Sequence, residues 1–271
     1  MNNITRVLTG VIGFPIVALF LIFGNEILID IAFAIIAVMS LHEYYKAFKS
    51  SEKAKPVTYI GYIACSLIAT IHIIPNEYII NIIGILIPIF LLILFFEGII
   101  TNMKTNIMDI AVTILGICYI PLFIMFIPLL RGIENGQFLV WYIILSAWGT
   151  DIFAFIVGKL MGKHKFTQIS PHKTIEGCVG GILGSVIMNL VYTVIINLVF
   201  QLGISYVSIT VLAVILSILS QVGDLAASSI KRYVGIKDFS NLLPGHGGML
   251  DRIDSLIFIA PFAFYLLKLF A

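Results

Sequence analysis

Lys231 to Ser255 reads KRYVGIKDFSNLLPGHGGMLDRIDS, and directly after it comes the apolar run LIFIAPFAFYLLKLF. From Pro244 to Ser255 the stretch holds three glycines, a histidine, an arginine and two aspartates, with long runs of isoleucine, leucine and phenylalanine on either side. Polar chemistry this dense at the edge of an apolar run marks a place where a chain passes from lipid to water. The remainder of the sequence agrees. Of its 271 residues 60% are hydrophobic and only 11% charged, and the mean hydropathy is +1.10. A soluble domain cannot hide that much apolar surface, so the solvent for most of this protein is lipid. The expected fold class is an all-α polytopic integral membrane protein.

About nine apolar segments follow from the sequence: roughly 7–23, 27–41, 57–75, 78–96, 108–130, 137–158, 177–200, 204–230 and 254–271. The first is too long for a signal-peptide core and lacks a clear small-residue cleavage site, so it reads as a span. The second is short and the fifth is interrupted by Pro121 and Pro128, so each is expected to be either kinked or incompletely spanning. With the N-terminus cytoplasmic and the C-terminus outside, all but Arg131 and Lys268 of the 16 lysines and arginines fall on the inner side. That bias supports both the orientation and the odd number of spans. The expectation is a multi-pass protein of the inner (cytoplasmic) membrane with its chemistry on the cytoplasmic face. Residues 1–140 are expected to supply packing, lipid entry or dimer contacts, and 141–271 the catalytic region. The first inner loop, HEYYKAFKSSEKAKP, reads as ordinary topogenic charge in preference to a headgroup site. Cys65, Cys118 and Cys178 show no metal spacing and read as small buried apolar residues.

Two acids stand inside apolar segments, Asp151 in SAWGTDIFAFIVGK and Asp224 in SQVGDLAASSIKR. An acid at membrane depth costs roughly 2.5–3.5 kcal/mol, so each needs a partner or a wet cavity. Lys159 follows the first and Lys231 the second. Ser228 and Lys231, at i+4 and i+7 from Asp224, make a polar stripe on one helix face. Upstream, SPHKTIEG places Lys173 and Glu176 before the glycine-rich GCVGGILGS. Those glycines suit close helix packing, while Thr174 and Gly177 at the helix start could present N–H groups to an anion.

In the opening stretch Asp251 and Asp254 are spaced i, i+3, so on a helix they share a face and could hold a divalent cation, with Asp224 completing an oxygen-rich site. PGHGG, with Gly245, His246, Gly247 and Gly248, lets backbone approach a polyphosphate. Lys231, Arg232, Lys237 and Arg252 add positive charge. Each feature has a plainer use: glycines make turns, lysines set topology, and aspartates cap helices. Together they describe a phosphoryl or nucleotidyl transfer site.

The same residues carry a family resemblance. SSIKRYVGIKDFSNLLPGHGGMLDRID, Ser228 to Asp254, resembles the signature of phosphatidate cytidylyltransferases, also called CDP-diacylglycerol synthases, without a break. SPHKTIEG is similar to that family's SPKKTWEG, with His172 for a lysine and Ile175 for a tryptophan. The resemblance implies condensation of CTP with phosphatidic acid to CDP-diacylglycerol and pyrophosphate. It also implies magnesium, a second, monovalent cation such as potassium, a homodimer in the lipid bilayer, and no nucleic-acid partner. By position, Asp224, Asp251 and Asp254 would be the metal-site acids, catalytic together with Lys231. Lys173, Ser228, Arg232, Lys237, Gly245, His246, Gly247, Gly248 and Arg252 would contact substrate. Two rivals differ in pattern. A CDP-alcohol phosphotransferase resembles Asp-x-x-Asp-Gly with a second acidic pair, whereas Ser255 follows Asp254 here. An ion-coupled transporter would spread polarity to both faces, whereas this sequence gathers it on one.

Overall fold

The structure, a computed structural model, describes residues 20–242 and 247–270, and among these the regular elements are helices with no strand. In chain order they are α1 (Glu26–Ser50), α2 (Thr58–Ser66), a 3₁₀ segment (Leu67–Ile73), α3 (Asn76–Ile100), α4 (Ile107–Tyr119), α5 (Pro121–Ile124), α6 (Phe126–Arg131), α7 (Gly136–Met161), α8 (Ile175–Phe200), α9 (Tyr206–Val234) and α10 (Leu250–Phe270). Among the described residues six stretches are long and apolar enough to cross a membrane: Glu26–Ser50, Asn81–Ile100, Ile107–Arg131, Gly136–Met161, Ile175–Phe200 and Tyr206–Val234. The segments expected at 57–75 and 254–271 are helical too. The one expected at 7–23 lies mostly outside the described residues.

Two boundaries differ from the sequence expectation, each for a visible reason. α1 does not stop at residue 41 but continues to Ser50, because Glu43, Tyr44, Tyr45, Ala47 and Phe48 are buried and prolong its inward face. The expected first inner loop is therefore largely helix. At 108–130 the kink falls where proline demands it. α4 ends at Tyr119, Ile120 is its C-cap at φ −99 and ψ −78, and Pro121 starts the next short helix.

The chain divides into two compact units, Met1–Gly132 with Tyr233–Arg252, and Ile133–Arg232 with Ile253–Ala271. The first contains an apolar cluster formed by Val57, just before α2, with Ile60 and Ala64 of α2, Phe90 and Leu94 of α3, and Ile110 and Ile117 of α4. Its buried acids are all engaged. Asp109 closes a capping box with Asn106 at the start of α4, and Asp30 accepts from the backbone N–H of His72 and lies 2.7 Å from its Nδ1.

In the second unit α7 and α8 pack at glycine distance. A Cβ on Gly184 would fall 2.2 Å from the ring of Phe153, and one on Gly180 2.5 Å from Val157. The run GCVGGILGS thus serves the close packing expected of it, in which small residues let helices approach in lipid. Polar groups buried along these helices find one another. Tyr142 Oη lies 2.8 Å from Thr193 Oγ1, Asn189 donates to Ser146 Oγ, and Thr150 donates to Ser217 Oγ at 2.7 Å. Without water such groups must pair internally. The three cysteines are free thiols.

Candidate functional site

Lys173 owes its position to a folded-back hairpin. Lys165 and Thr174 form a β-bridge, Phe166 N donates to Lys173 O, and Ile175 N donates to His164 O. Glu176, in the first turn of α8, accepts from the backbone N–H groups of Lys163 and His164 and lies 2.6 Å from His164 Nδ1. Thr174 caps α8 by accepting from Gly177 N. The helix start expected as an anion cradle is thus occupied in part by its own cap. With its backbone fixed in this way, the Lys173 side chain forms a salt bridge with Asp224 of α9. The sequence expectation paired Asp224 with Lys231, on its own helix face, and gave no sign of this contact from another loop.

The second unit also contains Asp254, in the second turn of α10. It is buried, takes the N–H of Ser255 on Oδ1 at 2.8 Å, and lies in the electrostatic field of Asp224, Lys231 and Asp151. Gly223 makes that proximity geometrically achievable, since a Cβ there would come within 3.0 Å of the Asp254 carbonyl oxygen and 2.6 Å of Phe258 Cβ. Of the predicted residues, this unit therefore gathers Lys173, Asp224, Lys231 and Asp254, and adds Asp151. Ser228 and Arg232 lie further along α9, half-buried and exposed respectively.

The signature loop belongs to the first unit. Asp251, in the first turn of α10, accepts on Oδ2 from Phe239 N at 2.8 Å and Gly248 N at 2.9 Å. Gly247 has φ +81, a region that glycine alone enters freely. A Cβ there would also sit 3.0 Å from Asp251 Oδ2. The next glycine has a different reason, because a Cβ on Gly248 would meet Glu43 Oε2 at 2.4 Å. Both glycines therefore have a structural role toward carboxylates. Lys237 and Arg252 are exposed. Gly245 and His246 lie outside the described residues.

Glu43 is the residue that sequence reasoning missed. Buried in the first unit, it accepts from Ser240 Oγ at 2.6 Å, Met249 N at 3.0 Å and Leu250 N at 2.9 Å. Beside it opens a cavity of about 790 Å³ lined in part by His42, Glu43, Lys46, Tyr62, Ser240 and Asn241. That volume lies in the range of small-molecule sites.

Among the described residues no three His, Cys, Asp or Glu side chains converge closely enough to cage a metal ion as they stand. The chemistry of the donor set nevertheless suits magnesium. Asp224, half-buried beside Lys173, and the buried Asp254 offer hard carboxylate oxygens, the donor type that magnesium takes.

The sequence model of the Cytidylyltransferase family matches residues 4–270. The chain is 34% identical to "Phosphatidate cytidylyltransferase" of Bacillus subtilis (strain 168) across 98% of both chains. It is 39% and 40% identical to proteins of the same name from Staphylococcus saprophyticus and Staphylococcus haemolyticus, in each case over 58% of this chain and 59% of the relative. A match that runs nearly end to end takes in the hairpin, the acids of α9 and α10 and the signature loop alike, and the chain belongs to the cytidylyltransferase family.

Proposed function

We propose that this protein is a phosphatidate cytidylyltransferase, condensing CTP with phosphatidic acid to give CDP-diacylglycerol and pyrophosphate. The observation that carries the reading is the Lys173–Asp224 pair. It ties SPHKTIEG, the upstream stretch that resembles the family, to α9 four residues before the signature begins at Ser228, in the unit that also holds Asp254.

Phosphatidic acid is a phosphomonoester with a second pKa near 6, by analogy with phosphoserine, so its attacking oxygen is already ionised at neutral pH. No strong general base is required. A bond forms between that oxygen and the α-phosphorus of CTP, and the bond from the α-phosphorus to the bridging oxygen breaks, so that pyrophosphate departs. The work left to the protein is to bring two polyanions together and to balance the charge that builds on the leaving group. Lys173 and Lys231 supply that balance in the second unit, with Ser228 and Arg232 as further phosphate contacts. Lys237, Gly247, Gly248 and Arg252 are the candidate contacts of the signature loop, together with Gly245 and His246. Lys173 holds Asp224 until substrate phosphate competes for its ammonium, so substrate binding itself frees carboxylate oxygens.

Asp224 and Asp254, with Asp251 one turn earlier on α10, are the residues that would hold magnesium, which when bound would screen the phosphates and stabilise the leaving pyrophosphate. A monovalent cation such as potassium and a homodimeric state complete the proposal on the family resemblance alone. The placement is a nine-span chain in the cytoplasmic membrane, N-terminus and reaction on the cytoplasmic side, supported by the distribution of lysine and arginine.

The test is direct. Purified protein with magnesium, labelled CTP and phosphatidic acid is expected to form a labelled lipid and release pyrophosphate. Failure to form that lipid, while the Bacillus subtilis relative does so in parallel, would overturn the reading.

A further inference from the structure

We infer that Glu43 is a positioning residue for the reaction, holding the signature loop in register from the opposite end of the sequence. The inference rests on the cytidylyltransferase reading and adds to it a residue far from either signature stretch.

Three observations carry it. First, the Glu43 carboxylate is buried, and everything seen to satisfy it comes from the loop: Ser240 Oγ on the entering side, Met249 N and Leu250 N on the leaving side. Glu43 therefore ties the two sides of the loop together. Second, Met249 and Leu250 lie at the start of α10, where N–H groups have no partner within the helix. A carboxylate there meets both that need and the positive end of the helix dipole. Glu43 is in effect an N-terminal cap delivered from a helix some two hundred residues earlier, and the helix it caps carries Asp251 and Asp254 in its first two turns. Third, the loop is shaped around it. Gly248 leaves no room for a Cβ against Glu43 Oε2. Asp251 supplies a second clamp one step away by accepting from Phe239 N and Gly248 N. Two carboxylates thus close the loop, one from its own helix and one from α1.

The consequence is specific to one substrate. Glu43 and Ser240 also line the cavity of about 790 Å³ that contains Lys46 and His42. The glycine-rich loop they hold is the part of the chain suited to polyphosphate. Loosening it should weaken the handling of CTP and leave that of the lipid nearly as it was.

Glu43→Gln keeps the size of the side chain but replaces one accepting oxygen with a donor facing N–H groups. In the purified full-length protein it is expected to lower kcat/KM for CTP at least ten-fold, with KM for phosphatidic acid within two-fold of the parent. Trypsin is expected to cut faster at Lys237 or Arg252, while the melting transition is retained. Ser240→Ala removes one donor only and is expected to lower kcat/KM for CTP about three-fold. The trypsin arm does not depend on turnover, so an inactive parent would count against the cytidylyltransferase reading and leave the loop tether to be judged on cleavage. Parental kcat/KM for CTP in folded Glu43→Gln would overturn the inference, as would equal loss toward both substrates. Should Glu43→Gln not fold, parental kinetics in Ser240→Ala would overturn it.

Discussion

Replacing Gly223 by alanine tests whether close packing of α9 on α10 sets the geometry of the acids. A Cβ at 223 would lie 2.6 Å from Phe258 Cβ and 3.0 Å from the Asp254 carbonyl oxygen. Carbon atoms rest at about 3.5–4.0 Å from one another, so the two helices would have to separate by about 1 Å at this level. Neither obstructing atom can swing away, since one is a Cβ and the other is backbone. Overpacking of this kind costs about 1–3 kcal/mol of stability. The effect on rate is expected to be larger. Asp224 is the next residue and Asp254 is the one whose carbonyl is struck, and a misplacement of about 1 Å in a positioned group costs on the order of 10²-fold. Gly223→Ala should therefore fold, melt at a lower temperature, and show kcat for CDP-diacylglycerol formation reduced about 10²-fold. Gly84→Ala on α3, where an added Cβ meets nothing within 4 Å, is the control and should keep the parental kcat. If Gly223→Ala turned over within two-fold of the parent per folded molecule, the contact would not set the acid geometry and the reasoning would fail.

Other outcomes follow from the same contacts. A double-mutant cycle of Lys173→Met and Asp224→Asn should return a coupling of about 1 kcal/mol in unfolding free energy, since the two side chains keep 26% and 30% exposure; strictly additive effects would contradict the pair. Asp251→Asn should abolish turnover without loss of folded protein, because its carboxylate both organises the loop and belongs to the proposed metal set; near-normal activity would refute both roles. Asp30→Ala leaves the His72 ring and backbone N–H without their buried acceptor and should cost about 1–3 kcal/mol of stability, leaving kcat per folded molecule unchanged. A loss of turnover beyond the loss of folded protein would contradict a purely structural place for that pair.

The architecture was legible because lipid imposes helices on any apolar chain, and proline at 121 marks a break whatever its neighbours. What was not legible were contacts across sequence distance. Asp224 has Lys231 two turns along its own helix, and the sequence pointed there; Lys173, brought to it by a hairpin that Glu176 secures, lies too far back in the chain for the sequence to have named. Glu43 was hidden by its context. Between His42 and Tyr44, near several lysines, it read as part of a solvated loop, yet it is buried on a helix that runs on to Ser50. A signal was present, since an acid flanked by aromatic residues continues the inward face of α1. Periodicity could have placed it inside, but nothing in the sequence could have named Ser240, Met249 and Leu250 as its partners. For the same reason the grouping of 233–252 with the N-terminal unit was invisible before the structure.

The central claim is transfer of the CMP group to phosphatidic acid, and the fate of the phosphorus atoms tests it most directly. With CTP labelled at the α-phosphorus the account predicts that label enters the lipid, and with label at the γ-phosphorus that it appears in pyrophosphate, the two products forming in equal amounts. Release of labelled CMP with no labelled lipid, or transfer of the γ-phosphorus to the lipid, would contradict it.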